Sequence, residues 1–263
     1  MSEPVEDMLI GEPTWVEMAG VRLEGIATGE GRPILFLHSE AGFASAKPAI
    51  RALARHGKVF APAHPGFGRS DLPASFDHID DLAYFYLDLL DERDLREVVL
   101  IGCGFGGWIA AEIAVKSCAH LSHLVLIDAV GIKTEDRIAD IFALTAAELR
   151  EASYHEPEKA PPALGQLSDA ELTIAFRDRE TLARFGWSPY MHDPKVLGRL
   201  HRIQVPSLVL WGTQDRIVSP DYGRAYAAAI PNARFAVVDD AGHFPEIERP
   251  DAVAARIAEF VKG

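Results

Sequence analysis

The feature that most constrains this chain is its alternation of short apolar runs with longer stretches of helical periodicity. Pro33 to Leu37, Lys58 to Ala61, Val98 to Gly102, His123 to Asp128, Ser207 to Trp211 and Phe235 to Val238 are short and nearly continuous in apolar character. They predict strands buried on both faces, as a parallel sheet requires. Between them, Ala44 to His56, Ile79 to Leu90, Phe105 to Ser117, Pro220 to Ile230 and Pro250 to Val261 fit helices. The last two open with proline, at a position where the missing N–H costs nothing. Strand and helix in alternation predict an α/β fold, a mostly parallel sheet with helices on both faces. Thr14 to Met18 and Arg22 to Ala27, separated by Ala19-Gly20, predict an antiparallel opening hairpin.

The rhythm breaks between about Gly131 and Ile203. Charged helical stretches, Glu135 to Leu144, Ala146 to Ser153 and Asp169 to Phe185, surround a proline-rich piece from Glu156-Pro157 to Pro161-Pro162. This predicts a helical cap over 131–203 inserted into a core made of 1–130 and 204–263. A hydrophobic share of 48% in 263 residues is ample for one large core.

The formal charge of −13 disfavours phosphate backbones and anionic lipid, so no nucleic acid and no membrane is expected as a partner. Cys103 and Cys118 are too few for a disulfide framework and lack zinc-ligand spacing. The opening MSEPVEDMLIGEP has neither a positive n-region nor an apolar h-region, and the default expectation is a cytoplasmic protein. Oligomeric state is open, a homodimer included.

Where the run Val98 to Gly102 gives way to a helical pattern stands Gly102-Cys103-Gly104-Phe105-Gly106-Gly107. It has the outline of G-x-S-x-G, the sharp strand-to-helix turn that lifts a serine hydroxyl to the top of a sheet, but glycine, Gly104, holds the serine position. Other reactive side chains fall at strand ends, where ligands collect in a doubly wound sheet. His38-Ser39-Glu40 follows PILFL, Asp128 ends HLVLID, Asp215 follows SLVLWGTQ and His243 follows FAVVDDAG.

With LHSEAG near residue 37, HPGFGRSD from His64, IGCGFGGWIAAE from Ile101, LVLWGTQDRIVSP from Leu208 and DAGHFPEIERP from Asp240, the chain resembles the α/β-hydrolase superfamily over nearly its whole length. It is similar in style to the capped carbon–carbon bond hydrolases, esterases and epoxide hydrolases. The resemblance implies an eight-stranded sheet, Asp215 as the acid and His243 as the base of a triad, and Gly104 at the nucleophile position. An aspartate bonded to one imidazole nitrogen fixes the tautomer and leaves the other free to take a proton. Asp128 is an alternative acid. The oxyanion hole is expected from the backbone N–H of Phe105 and one from Ser39 or Glu40.

The Glu40 side chain points either to solvent or inward, where it repels an oxyanion or serves as a second base. Cys103, one residue before the tip of the turn, reads as a packing cysteine more readily than as a substitute nucleophile. His38, Cys103, Tyr154, Trp187 and Tyr190 are the pocket candidates, with His155 and His192 beside them.

No metal and no organic cofactor is expected. The pattern implies hydrolysis of an ester, lactone, thioester or activated carbon–carbon bond, with His243 activating a water in the space a serine would fill. Two alternatives stand beside it: proton abstraction by the His/Asp pair in a lyase, isomerase or cofactor-independent oxygenase, and a pseudo-hydrolase, its serine lost or replaced, that binds a small ligand.

Overall fold

The computed structural model describes residues 14–263; the reading of the opening thirteen residues lies outside the described residues. Eight strands form one sheet: β1 (Thr14–Met18), β2 (Val21–Thr28), β3 (Pro33–Leu37), β4 (Lys58–Pro62), β5 (Val98–Cys103), β6 (Leu121–Ile127), β7 (Ser207–Gly212) and β8 (Ala233–Val238). Their order is β1-β2-β4-β3-β5-β6-β7-β8. β2 pairs antiparallel with both of its neighbours, and every pair from β4 to β8 is parallel. All residues of β5 and β7 are buried, as their unbroken apolar runs require. β8 departs from the expectation of two buried faces: it is the edge strand and is mostly half-buried.

Helices α1 (Lys47–Leu53), α2 (Ile79–Glu92), α3 (Gly104–Lys116), α6 (Pro220–Ala229), α7 (Pro245–Glu248) and α8 (Pro250–Lys262) follow the strands. The buried apolar residues divide into two clusters. α2, α3 and α6 pack on one face of the sheet with Leu35, Leu100 and Leu126, and α1 and α8 pack on the other with Phe36, Ile101 and Ile127. This division is the strand period of two made visible, since neighbouring residues of one strand enter opposite clusters. α3 is buried on nearly every side, its apolar run leaving no polar face to turn outward.

Between β6 and β7 lie α4 (Ala146–Ser153) and α5 (Asp169–Gly186) with short 3-10 turns. The expected helix over Glu135 to Leu144 does not form. Its backbone is committed elsewhere: Ala139 N–H donates to Ile217 O, and the Tyr190 hydroxyl donates to Ala139 O while accepting from Ile141 N–H. α5 is capped by Ser168, whose hydroxyl accepts from Glu171 N–H while the Glu171 carboxylate takes the Ser168 N–H, a capping box. No helix of the described residues is long and apolar enough to cross a membrane.

β3 and β5 are neighbours, with Leu37 opposite Gly102, whereas the chain goes from β3 outward to β4 before returning to β5. The loops leaving β3 and β5 therefore part in opposite directions and open a crevice at the carboxyl ends of the strands. Glu40 enters that crevice from one side and Gly104 from the other.

Candidate active site

The turn after β5 is built by close approach. A Cβ on Gly106 would lie 2.4 Å from the carbonyl oxygens of both Leu37 and His38, so only glycine lets α3 start this near β3. Gly104 takes φ 48°, the left-handed conformation that side chains resist, and a Cβ there would lie 2.2 Å from Glu40 Oε2. The Glu40 side chain points inward and is only 6% exposed. Its Oε2 accepts the Phe105 N–H at 2.9 Å and its Oε1 lies 2.8 Å from His243 Nε2. On the far side of the ring, His243 Nδ1 lies 2.8 Å from Asp215 Oδ2. Asp215 is held in turn by the N–H groups of Ile217 and Val218, both bonded to Oδ1. The result is a row, Glu40, His243, Asp215, buried across the strand ends.

Charge follows from this packing. Burial opposes protonation of His243, but the carboxylates on its two sides outweigh it, and the imidazole is raised well above its ordinary pKa. Burial also opposes ionisation of Glu40. The His243 charge and hydrogen bond, with the N–H groups of Glu40 itself and of Phe105, outweigh it and lower its pKa. The two shifts act in the same direction, both favouring an ion pair between Glu40 and His243.

Three further carboxyls stand nearby. Asp128 accepts the Gly212 N–H at 2.9 Å through Oδ1, and its buried Oδ2 has no partner. Burial and then the charge of Asp215 push its pKa well up, and the hydrogen bond to His243 Nδ1 is held by Asp215. Glu246, which the sequence did not single out, is 1% exposed. Its Oε1 accepts the Ser39 hydroxyl at 2.9 Å, its Oε2 is unpartnered, and burial pushes its pKa up to about 7. The available signal was its place in DAGHFPEIERP, three residues after His243. Glu248 accepts the Gly242 N–H at 2.7 Å and so fixes the loop that carries His243. That loop is also braced by α4, where Ser153 O accepts the His243 N–H at 2.7 Å.

The remaining sequence candidates fall elsewhere. His38 donates Nδ1–H to Ser39 O and accepts the His64 N–H at Nε2, which occupies both of its nitrogens with backbone; burial lowers its pKa to about 4. Cys103 is buried among apolar side chains and its thiol is pushed well up, first by burial. Tyr154 is buried with its ring 5.2 Å from that of Phe244, beside His243. Tyr190 spends its hydroxyl on the backbone of residues 139 and 141, and Trp187 is 63% exposed. His155 lies 3.8 Å from Asp240, and His192 bonds Tyr190 O.

Asp128, Asp215 and His243 bring potential metal-ligand atoms within 4.8 Å of one another. A metal there would have to displace the bond between His243 Nδ1 and Asp215, and Asp215 Oδ1 already serves two backbone N–H groups. The donor set fits the ion row described above better than it fits a metal.

The sequence profile of the alpha/beta hydrolase family matches residues 34–256. The chain belongs to this family. Among its hydrolase relatives, the 2-hydroxymuconate semialdehyde hydrolase of Pseudomonas sp. (strain CF600) is 25% identical over 92% of this chain and 91% of its own. The 2-hydroxy-6-oxononadienedioate/2-hydroxy-6-oxononatrienedioate hydrolase of Cupriavidus pinatubonensis is 27% identical over 75% of this chain and 73% of its own. Among solved α/β-hydrolase structures, the 2-hydroxy-6-oxo-6-phenylhexa-2,4-dienoate hydrolase of a Rhodococcus species matches with TM-score 0.76 at 22% identity, covering 97% of this chain and 99% of that one. A thermophilic esterase from Thermogutta terrifontis matches with TM-score 0.74 at 23% identity, covering 96% and 98%. At these identities the structures speak for the fold alone.

Proposed function

We propose that this α/β-hydrolase is a small-molecule hydrolase whose reactive group is the Glu40 carboxylate, with His243 moving the proton and Asp215 orienting the imidazole. The observation that carries this reading is the seat of Glu40. Its carboxylate fills the space over Gly104 that a serine hydroxyl would occupy, held between the helix N-terminal N–H of Phe105 and the imidazole. Hydrolytic chemistry is supported by the relatives, two of which are named as hydrolases of 2-hydroxymuconate semialdehyde and of 2-hydroxy-6-oxononadienedioate or 2-hydroxy-6-oxononatrienedioate.

Three other readings fit the geometry less well. Water activated by His243 in an empty serine seat needs a free Nε2, and Nε2 is bonded to Glu40. Proton abstraction from substrate by the His/Asp pair needs a free Nε2 and a neutral imidazole, whereas Nε2 is bonded to Glu40 and the two neighbouring carboxyls favour the protonated ring. A binding role without turnover would not call for this buried row of charges.

The test is turnover of a panel of aryl esters, β-diketones and alkyl electrophiles by the protein and by Glu40→Gln and His243→Ala. Both variants should lose about a thousandfold or more, the scale on which removing a member of a catalytic unit acts. Full activity in a folded Glu40→Gln would defeat the reading.

A further inference from the structure

Glu40 and His243 stand on two loops that are joined twice. The first junction is the contact of the proposed chemistry, Glu40 Oε1 to His243 Nε2 at 2.8 Å. The second joins the residue before Glu40 to the third residue after His243: the Ser39 hydroxyl donates to Glu246 Oε1 at 2.9 Å, both groups buried. A reacting substrate has to break into the first junction, so that contact cannot hold the loops together through turnover. The second takes no part in the proposed chemistry and is free to do so.

Each end of the second junction is anchored by backbone. Ser39 follows Leu37 and His38, whose carbonyls lie against α3 at Gly106, and Ser39 O accepts the His38 Nδ1–H and the Gly42 N–H. Glu246 lies in α7, a single turn in which the N–H groups of Ile247 and Glu248 donate to Phe244 O. α7 rests in turn on α1, α8 and the 3-10 turn Phe43–Ala46. A hydrogen bond between two points held in this way fixes a distance, and Glu40 and His243, close by on the same two loops, inherit it. We infer that Glu246 is a positioning residue, which through the Ser39 hydroxyl sets the reach of Glu40 to His243. The consequence for turnover rests on the function proposed above, whereas the clasp itself does not.

Glu246 also brings a charge to the site. The Ser39 hydroxyl and its own N–H donate to it, and Oε2 meets no donor among the described residues. Burial therefore keeps the acid neutral up to about 7, with the Glu40 charge raising and the His243 charge lowering its hold on the proton. Cys103 on β5 and Tyr154 after α4 face it too, and burial pushes both of them up, away from this titration. Glu248 on the same turn is spent on the N–H groups of Gly242 and Glu156. Of the helices packed on α7, α8 has Asp251, Arg256, Glu259 and Lys262 exposed, and α1 has Lys47 half-buried and Arg51 exposed. Coupling between sites is mutual, so an ionised Glu246 tightens the proton on His243 and strengthens Glu40 as a base.

The experiment follows the ring N–H protons of His243 by NMR and needs no substrate. Two downfield resonances are expected, both absent from His243→Ala: Nδ1–H facing Asp215, and Nε2–H facing Glu40, the second lost in Glu40→Ala. Ser39→Ala removes the hydroxyl and keeps the backbone N–H. It and Glu246→Leu should each lose the Nε2–H resonance and keep the Nδ1–H one, and the double variant should do no more than either alone. Glu246→Gln, whose amide oxygen still accepts from Ser39, should keep the Nε2–H resonance and lose the inflection near 7 in its shift. With p-nitrophenyl acetate in parallel, kcat of Ser39→Ala and Glu246→Leu should fall about a hundredfold with KM unchanged, the scale of a 1 Å misplacement.

An intact Nε2–H resonance in both Ser39→Ala and Glu246→Leu would overturn the positioning role. An inflection near 7 that persists in Glu246→Gln would overturn the link between its charge and the Glu40–His243 pair. Loss of the resonance in the clasp variants, with ester turnover that ignores Glu40→Gln, would uphold the clasp and defeat the proposed function.

Discussion

A Cβ on Gly104 would meet Glu40 Oε2 at 2.2 Å, so the two positions exclude each other's ordinary occupants. The absent serine and the inward glutamate are a matched pair, and restoring one residue does not restore a serine site. Gly104→Ser should abolish the Glu40-dependent activity by expelling the carboxylate from its seat, and should give no acyl-enzyme burst while the displaced charge still crowds His243. Gly104→Ser combined with Glu40→Ala frees Nε2 and should give a burst with p-nitrophenyl acetate. Stopped-flow release of p-nitrophenol distinguishes them, and an equal burst from the single variant would show that Glu40 is not fixed where we find it. The sequence offered Glu40 two directions with no means of choosing, because an exposed and a buried glutamate look alike in a string. Ser39, whose backbone N–H was one candidate for the oxyanion hole, ties the Glu40 loop to Glu246 through its hydroxyl.

At the scale of elements, α5 is fastened to the loop that follows β4. Arg177 donates through Nη1 to Gly68 O at 3.1 Å and through Nη2 to Ser70 O. Asp178 Oδ1 accepts the Gly68 N–H at 2.7 Å, and the Thr181 hydroxyl donates to Gly66 O at 3.0 Å. Hydrogen bonds to charged groups are worth about 1.5–3 kcal/mol each, so Arg177→Ala should loosen this attachment by a factor of about ten or more. Faster amide exchange at Phe67 and Ser70, with exchange in β5 unchanged, is the expected signature; unchanged exchange near α5 would show that the helix is held by packing alone. Burial pushes the Asp178 carboxyl up to about 6, so above that pH its charge strengthens the bond from Gly68.

These elements were readable in different degrees. Thr14–Met18, Pro33–Leu37 and Ala146–Ser153 match the expected bounds residue for residue, because the apolar period and the caps are local properties. The helix expected over Glu135 to Leu144 failed because partners distant in sequence, Ile217 and Tyr190, claim its backbone.

For the whole molecule, the buried carboxyls set how stability varies with pH. Glu246 has an ordinary pKa of 4.5 and titrates at about 7 when folded, so between those values the folded state holds a proton that the unfolded chain has lost. Its contribution is complete below 4.5 and is lost as pH rises towards 7, a change of about 3 kcal/mol. Glu246→Gln should flatten the dependence of the urea midpoint on pH across that window by an amount of this order. An identical slope in the variant would place the titration elsewhere, Glu112, Asp128 and Asp178 being the other carboxyls raised by burial.

By itself, the order of apolar runs, glycines and prolines determined the α/β layering, the sheet's parallel core, the glycine-framed turn after β5, and which acids and histidines stand at strand ends. Those are consequences of local period, steric freedom and chain order. Only the tertiary structure decided that Glu40 faces His243 over Gly104, that Asp215 and not Asp128 meets the imidazole, and that Glu246 lies beneath Ser39. Each of those contacts joins residues far apart in the chain or turns on a side-chain direction. The partners so assembled, set against burial, then shift the pKa values of Glu40 and His243, which no single segment does.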